Sequence, residues 1–223
     1  MFTWPWQVIR EKALYNRSAR SFANYYTNLA AQYSQDATVL NEEINNIFSA
    51  IGINIENNNW PGIIKVVKSI ADFLEAQGYW EELSHAYQDA IDAAERYFWH
   101  LFQNPKPEAW HDRIILRSDL GILLFRQGEY QKSKEIIQEA LEIARRIEHQ
   151  KLQALLISVL GNIAIIEAHF SQAEEYYSQC KEILEKLGDR EGVANALGRL
   201  AILATSQGNR ELAEQITKER LLL

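Results

Sequence analysis

The chain has 223 residues, 47% of them hydrophobic and 24% charged, with four prolines and a net charge of −7. That balance is ordinary for a soluble protein and argues against a general nucleic-acid footprint, which needs a basic face. The lone cysteine, Cys180, excludes an internal disulfide and suits a reducing cytosol.

Nearly every segment reads as amphipathic helix, and none alternates apolar and polar residues as a strand would. The opening residues Met1 to Trp6 lack the long apolar core and small-residue cleavage site of a signal peptide. No apolar run reaches the ~18 residues of a membrane span, so the expected setting is the cytoplasm. Arg10, Lys12, Arg17 and Arg20 give the start a basic cast that a solvated helix end explains better than a binding arm. Residues 1–58 are expected to form helices that pack on the remainder of the chain.

From Pro61 onward the sequence repeats. Leu120, Leu160 and Leu200 stand at one fixed step, each followed by a small residue: Gly121, Gly161 and Ala201. Gly128, Ala168 and Gly208 follow in register, then Ser133, Ala173 and Ala213. An earlier copy places Ile70, Ala71, Gly78 and Leu83 in the same slots. A step in this range marks stacked helical pairs, whose core grows by stacking rather than by enclosing a globule. The expected fold is therefore all-α, an α-solenoid of antiparallel helix pairs coiled as a right-handed superhelix. Residues 61–223 make up four pairs, at 61–98, 112–147, 150–187 and 190–222, with an insertion at 99–110. Expected helices run from Pro61 to Ala76, Tyr79 to Phe98, Asp112 to Arg126, Tyr130 to Ile147, Gln150 to Ala168, Ser171 to Leu187, Arg190 to Ser206 and Arg210 to Leu222. Pro61 suits a first turn, where its missing N–H costs nothing, and Gly78 suits a helix end.

The leucine-small pair, the turn glycine and the spaced large and small residues of the second helix resemble the tetratricopeptide repeat. Tyr87, Ile137 and Tyr177 hold the large position, and Ala90, Ala140 and Cys180 the small one. Small residues let two helices approach, and large ones fill the groove between repeats. A second resemblance covers residues 17–220. The helix Arg20 to Tyr33, the helix Val39 to Ile51, and Gly78-Tyr79-Trp80-Glu81-Glu82 are similar to the C-terminal sensor region of bacterial STAND-type signal-transduction NTPases. No Gly-x-x-x-x-Gly-Lys-Ser/Thr phosphate loop occurs, so nucleotide hydrolysis is not carried over. The resemblance implies an interaction module in bacterial signalling.

Two departures from the repeat stand out. The insertion Trp99 to Trp110 holds Trp99, Phe102 and Trp110 with Pro105 and Pro107, which end any helix before them. Its aromatics either plug a gap in irregular stacking or form a lip over a binding groove. At the other end, Thr217 and Arg220 replace core residues, as the polar face of a capping repeat requires. The final Leu221, Leu222 and Leu223 fray, pack on a second copy of the chain, or mark a cut within a longer parent.

No constellation supports catalysis. His85, His100, His111, His149 and His169 do not pair at helical spacing, so no metal site is expected. The adjacent acids Glu42-Glu43, Glu81-Glu82 and Glu174-Glu175 diverge around a helix, as solvated faces do. Cys180 occupies a small core slot and reads as an inert thiol. The chain is expected to be no enzyme and to need no cofactor.

Function should then lie on the concave face, lined by the first helix of each pair. Residues three, seven and ten apart keep to one stripe. That stripe comprises Lys65, Lys68, Asp72 and Glu75, then Ile115, Ser118, Ile122 and Phe125, then Leu155, Ser158, Asn162 and Ile165, and last Asn195, Gly198, Ile202 and Thr205, with Arg199 beside it. An apolar middle with polar ends suits a helix or an extended peptide laid in a groove. Tight winding that covers Ile122, Phe125 and Ile165 explains the same pattern. Arg199 has the fork geometry to grip a carboxylate or a backbone. The expected partner is a protein or peptide, with no nucleic acid and no membrane. The alternative is a structural homo-oligomer or scaffold assembled through the terminal leucines or the aromatic insertion.

Overall fold

The structure, a computed structural model, describes the backbone of residues 5–100 and 107–222 and the side chains of residues 15–99 and 110–222. Over these residues the chain forms α1 (Pro5–Gln32), α2 (Ala37–Glu56), α3 (Trp60–Gln77), α4 (Trp80–His100), α5 (Pro107–Arg126), α6 (Tyr130–Arg146), α7 (Gln150–Ile166), α8 (Phe170–Leu187), α9 (Arg190–Ser206) and α10 (Arg210–Leu221), and no strand. It is an all-α fold of helix pairs, as the repeat implies. The expected helix limits differ most at α5, which starts at Pro107 rather than Asp112. A proline ends a helix that runs into it but opens one readily, because a first-turn N–H needs no partner.

Local chemistry sets the helix ends. Asp36 accepts from the N–H of Thr38 and Val39, Asp189 from Gly192 and Asn209 from Leu212, each satisfying an orphan donor of a first turn. At the other ends the chain turns through the left-handed region. Gly128 does so at φ 83°, but its counterpart Ala168 adopts φ 58° with a Cβ in the way. The N–H of His169 still reaches Ala164 O at 2.8 Å, closing the turn as glycine-ended helices do.

The helices group into two units, Met1–Asp112 and Arg113–Leu223. In the first, α1 packs on α2 and α3, α2 on α3, and α3 on α4, around Leu40, Ile47, Ile63, Ile70, Leu74 and Leu83. A polar ladder crosses this core. Buried Asn54 donates to Thr27 Oγ1 at 3.1 Å and accepts from Asn59 Nδ2 at 2.7 Å. Phe98 meets Trp110 edge-on at 4.5 Å and Trp99 at 6.0 Å.

In the second unit, α6 packs on α7, α7 on α8, α8 on α9 and α9 on α10. Here the leucine-small pairs explain themselves. A Cβ on Gly161 would lie 2.6 Å from the Tyr177 ring, and one on Gly121 2.5 Å from Ile137 Cδ1. Each glycine is the space its large partner fills. The Ser133 hydroxyl donates to Gly121 O at 2.7 Å across the same seam. The last helix, α10, buries none of its residues, and Leu221 and Leu222 are exposed. Among the described residues, no helix is long and apolar enough to cross a membrane.

Candidate interaction groove

The second unit carries the groove. On α7, Leu155, Ser158, Asn162 and Ile165 fall three and four residues apart, so one helical face presents them all. Asn195, Arg199, Ile202 and Ser206 do the same on α9. Beneath them lies α8, whose Tyr177, Cys180 and Leu184 form the floor.

Two clefts open along this surface. The larger, about 610 Å³, takes the N-terminal halves of α7 and α9, with Leu152, Leu155, Ser158 and Asn195 in its walls and Cys180 and Leu184 below. The smaller, about 360 Å³, takes their C-terminal halves and is walled by Phe125, Ile165, Ile166, Phe170 and Ile202. Arg199 lines both. Ile202 is 68% exposed and Leu155 45%, so apolar area faces water on either side of this arginine.

Electrostatics sharpen the picture. The Tyr177 hydroxyl donates to Asn162 Oδ1 at 2.9 Å, which fixes the amide in the cleft wall. Burial pushes the Tyr177 pKa up, and the Arg199 charge partly opposes that. The Cys180 Sγ donates to Ala154 O at 3.3 Å, and burial pushes its thiol up to about 11, so it is protonated and unreactive at neutral pH. Asp189 is the single carboxylate among the residues lining the two clefts, and its oxygen already caps α9.

Of the residues proposed from sequence, Ser158, Asn195 and Arg199 meet in the larger cleft, and Phe125, Asn162, Ile165 and Arg199 in the smaller. Ile115 and Ile122 are half-buried and line neither. Ser118 is a correction. It is 1% exposed, with its hydroxyl donating to Ile114 O at 2.7 Å, so its polar group is spent inside its own helix.

In the first unit, Lys65, Lys68 and Asp72 are exposed. Lys65 and Lys68 line a separate cleft beside Pro61 and Tyr97. Both are tied down: Lys65 Nζ donates to Asn28 Oδ1 at 2.7 Å, and Lys68 Nζ pairs with Asp112 Oδ1 at 2.9 Å. Of the possible lip, Trp99 is exposed and Trp110 half-buried against Phe98. Phe102 and the rest of 101–106 lie outside the described residues.

Sequence reasoning passed over Lys151, Ile166 and Phe170. The last two bracket the turn around Ala168, and two large apolar residues flanking a polar turn are the signal that marks them. Among the described residues, no group of three or more His, Cys, Asp or Glu side chains comes together as a metal would require.

Paired helices, small-residue seams and a groove across consecutive first helices define a helical-repeat protein. Residues 112–186, almost wholly within the second unit, match the family model described as "Tetratricopeptide repeat". Repeats of this family generally mediate protein–protein contacts and are typically non-enzymatic. A curated relative, "Tetratricopeptide repeat protein 19, mitochondrial" of Rattus norvegicus, is 34% identical over 122 residues, 55% of this chain and 30% of that protein. The chain thus spans less than a third of that relative's length.

Solved structures share the fold. One is a Signal Transduction ATPase with Numerous Domains (STAND) protein with a tetratricopeptide repeat sensor from Pyrococcus horikoshii. It has a TM-score of 0.69 at 16% identity, covering 88% of this chain and 29% of that one. Another is a putative kinesin light chain with nearly identical TPR-like repeats from Podosopora anserina. Its TM-score is 0.66 at 14% identity, covering 89% and 93%.

Proposed function

We propose that the chain is a non-enzymatic interaction module that binds a protein or peptide segment along α7 and α9. The supporting observation is the pair of apolar-walled clefts that meet at Arg199. Exposed apolar area beside forked polar groups is what an extended segment needs: pockets for alternate side chains and donors for the rest. Residues 1–58 serve as accessory helices, and 61–223 form four pairs with 99–110 inserted.

We place the module in the cytoplasm of a bacterium, in signalling or regulation, on the sensor resemblance of residues 17–220. The mitochondrial designation of the curated relatives names the competing compartment, and localising a tagged chain in its source cell decides between them.

Photo-crosslinking in the source cell tests the groove. With p-benzoylphenylalanine at position 202 the chain should form a discrete adduct. The same group at exposed position 142, outside both clefts, should not. Equal adducts at both positions would remove the groove from the proposal.

A second reading rests on Leu221 and Leu222, which are 81% and 85% exposed and suit a seam between copies of the chain. Light scattering at high concentration decides it, because a strictly monomeric chain rules it out.

A further inference from the structure

The groove also specifies the chemistry of its occupant. The chain carries a net charge of −7, yet the residues lining the two clefts include Lys151 and Arg199 against Asp189 alone. The Asp189 carboxylate accepts the N–H of Gly192 at 2.9 Å and so serves α9. Lys151 and Arg199 are exposed and, among the described residues, make no hydrogen bond or ion pair. Elsewhere in this unit Lys134 pairs with Glu167 at 2.7 Å and Lys181 with Glu219 at 2.7 Å, so neither is available in the same way. The two cations of the clefts are therefore open to a partner's charge.

Building on the proposed function, we infer that the groove takes an internal acidic segment of a partner protein, with an Asp or Glu side chain on Arg199 and large apolar side chains on both sides of it. The guanidinium fork matches a carboxylate with two parallel hydrogen bonds. The position of Arg199 sets the rest. A carboxylate that ended a chain would leave one cleft empty, because Arg199 lines both. A side-chain carboxylate lets the backbone continue each way. One apolar residue then enters the larger cleft over Leu155 and Leu184, and another the smaller cleft between Phe170 and Ile202. Lys151, at the far end of the larger cleft, favours a second acid on that flank.

The probe is a displayed library of random 12-residue peptides with both ends blocked by flanking sequence, selected on the full chain. Enriched peptides should carry Asp or Glu with large apolar neighbours on both sides. They should lose at least about tenfold in affinity against Arg199→Glu, which reverses the charge they meet. Changing the peptide acid to Lys should restore binding to that variant, which a merely misfolded variant cannot do. Binding should also weaken as salt rises.

Peptides that are lost on Ile202→Asp but show no acidic preference would overturn the inference while leaving the groove as the binding site. Peptides that bind wild type, Arg199→Glu and Ile202→Asp alike would overturn both. Selection of acids only when the library presents free C-termini would overturn the internal placement.

Discussion

On α3 the lysines reach back into their own unit, Lys65 to Asn28 and Lys68 to Asp112, at 2.7 and 2.9 Å. On α7 and α9 the corresponding face carries Lys151, Asn195 and Arg199, and among the described residues Lys151 and Arg199 make no such tie. Both faces belong to first helices of their pairs, yet the lysines of one are tied down and the cations of the other are open. A stripe in a repeat therefore has no fixed role. Whether its polar groups already have partners decides if it can serve another molecule.

The floor of the open face offers the strongest way to break this contrast. Tyr177 fills the space left by Gly161 and holds Asn162 in the cleft wall. Tyr177→Ala should cost about 3–5 kcal/mol in urea unfolding, through lost burial and the cavity left behind. Cys180 then reports the collapse. Its thiol is buried and held at about 11, so labelling near pH 8 is slow in the folded chain and should become fast in the variant. Unchanged stability and labelling would mean that the groove floor is not the packed seam described.

A smaller and opposite effect is expected in the loop between α7 and α8. Ala168 bears φ 58° where Gly128 and Gly208 stand in the equivalent turns. An L-residue there carries a steric cost of ~1–2 kcal/mol, partly offset because glycine adds freedom to the unfolded chain. Ala168→Gly should therefore stabilise by about 0.5–1 kcal/mol, measured by the same unfolding, whereas Gly128→Ala should destabilise. The loop is next to Ile166 and Phe170, so the gain should leave the groove residues in place.

Much of this was legible in the sequence, and the failures share a cause. The helices and their seams followed from period and residue size, because Gly161 opposite Tyr177 is a steric fact that spacing encodes. The face of α7 and α9 was legible for the same reason. Ser118 was misread because periodicity assigns a direction but not what covers it. Lys65 and Lys68 occupy exposed positions as expected, but Asn28 and Asp112, which hold them, lie far away in sequence. Pro107 carried two opposite readings, stop and start, which only the path of the chain resolves.

The finest test of the contrast sets the two cations against each other by exchanging each for methionine, which keeps the apolar stem and removes the charge. Lys68 is 41% exposed in its side chain, so its pair with Asp112 is screened, and Lys68→Met should cost no more than about 1 kcal/mol. Arg199 has no tie to lose among the described residues, so Arg199→Met should change stability by less than about 0.5 kcal/mol. Binding should rank them in reverse. Arg199→Met removes the fork offered to a partner's carboxylate and should weaken capture of an acidic segment, while Lys68→Met leaves capture alone. Raising salt separates the two further, since it erodes the small stability term at Lys68 and the binding term at Arg199. A result in which Lys68→Met weakens capture as much as Arg199→Met would show that the closed face opens when the partner arrives. The contrast between the two units would then be one of resting state and not of role.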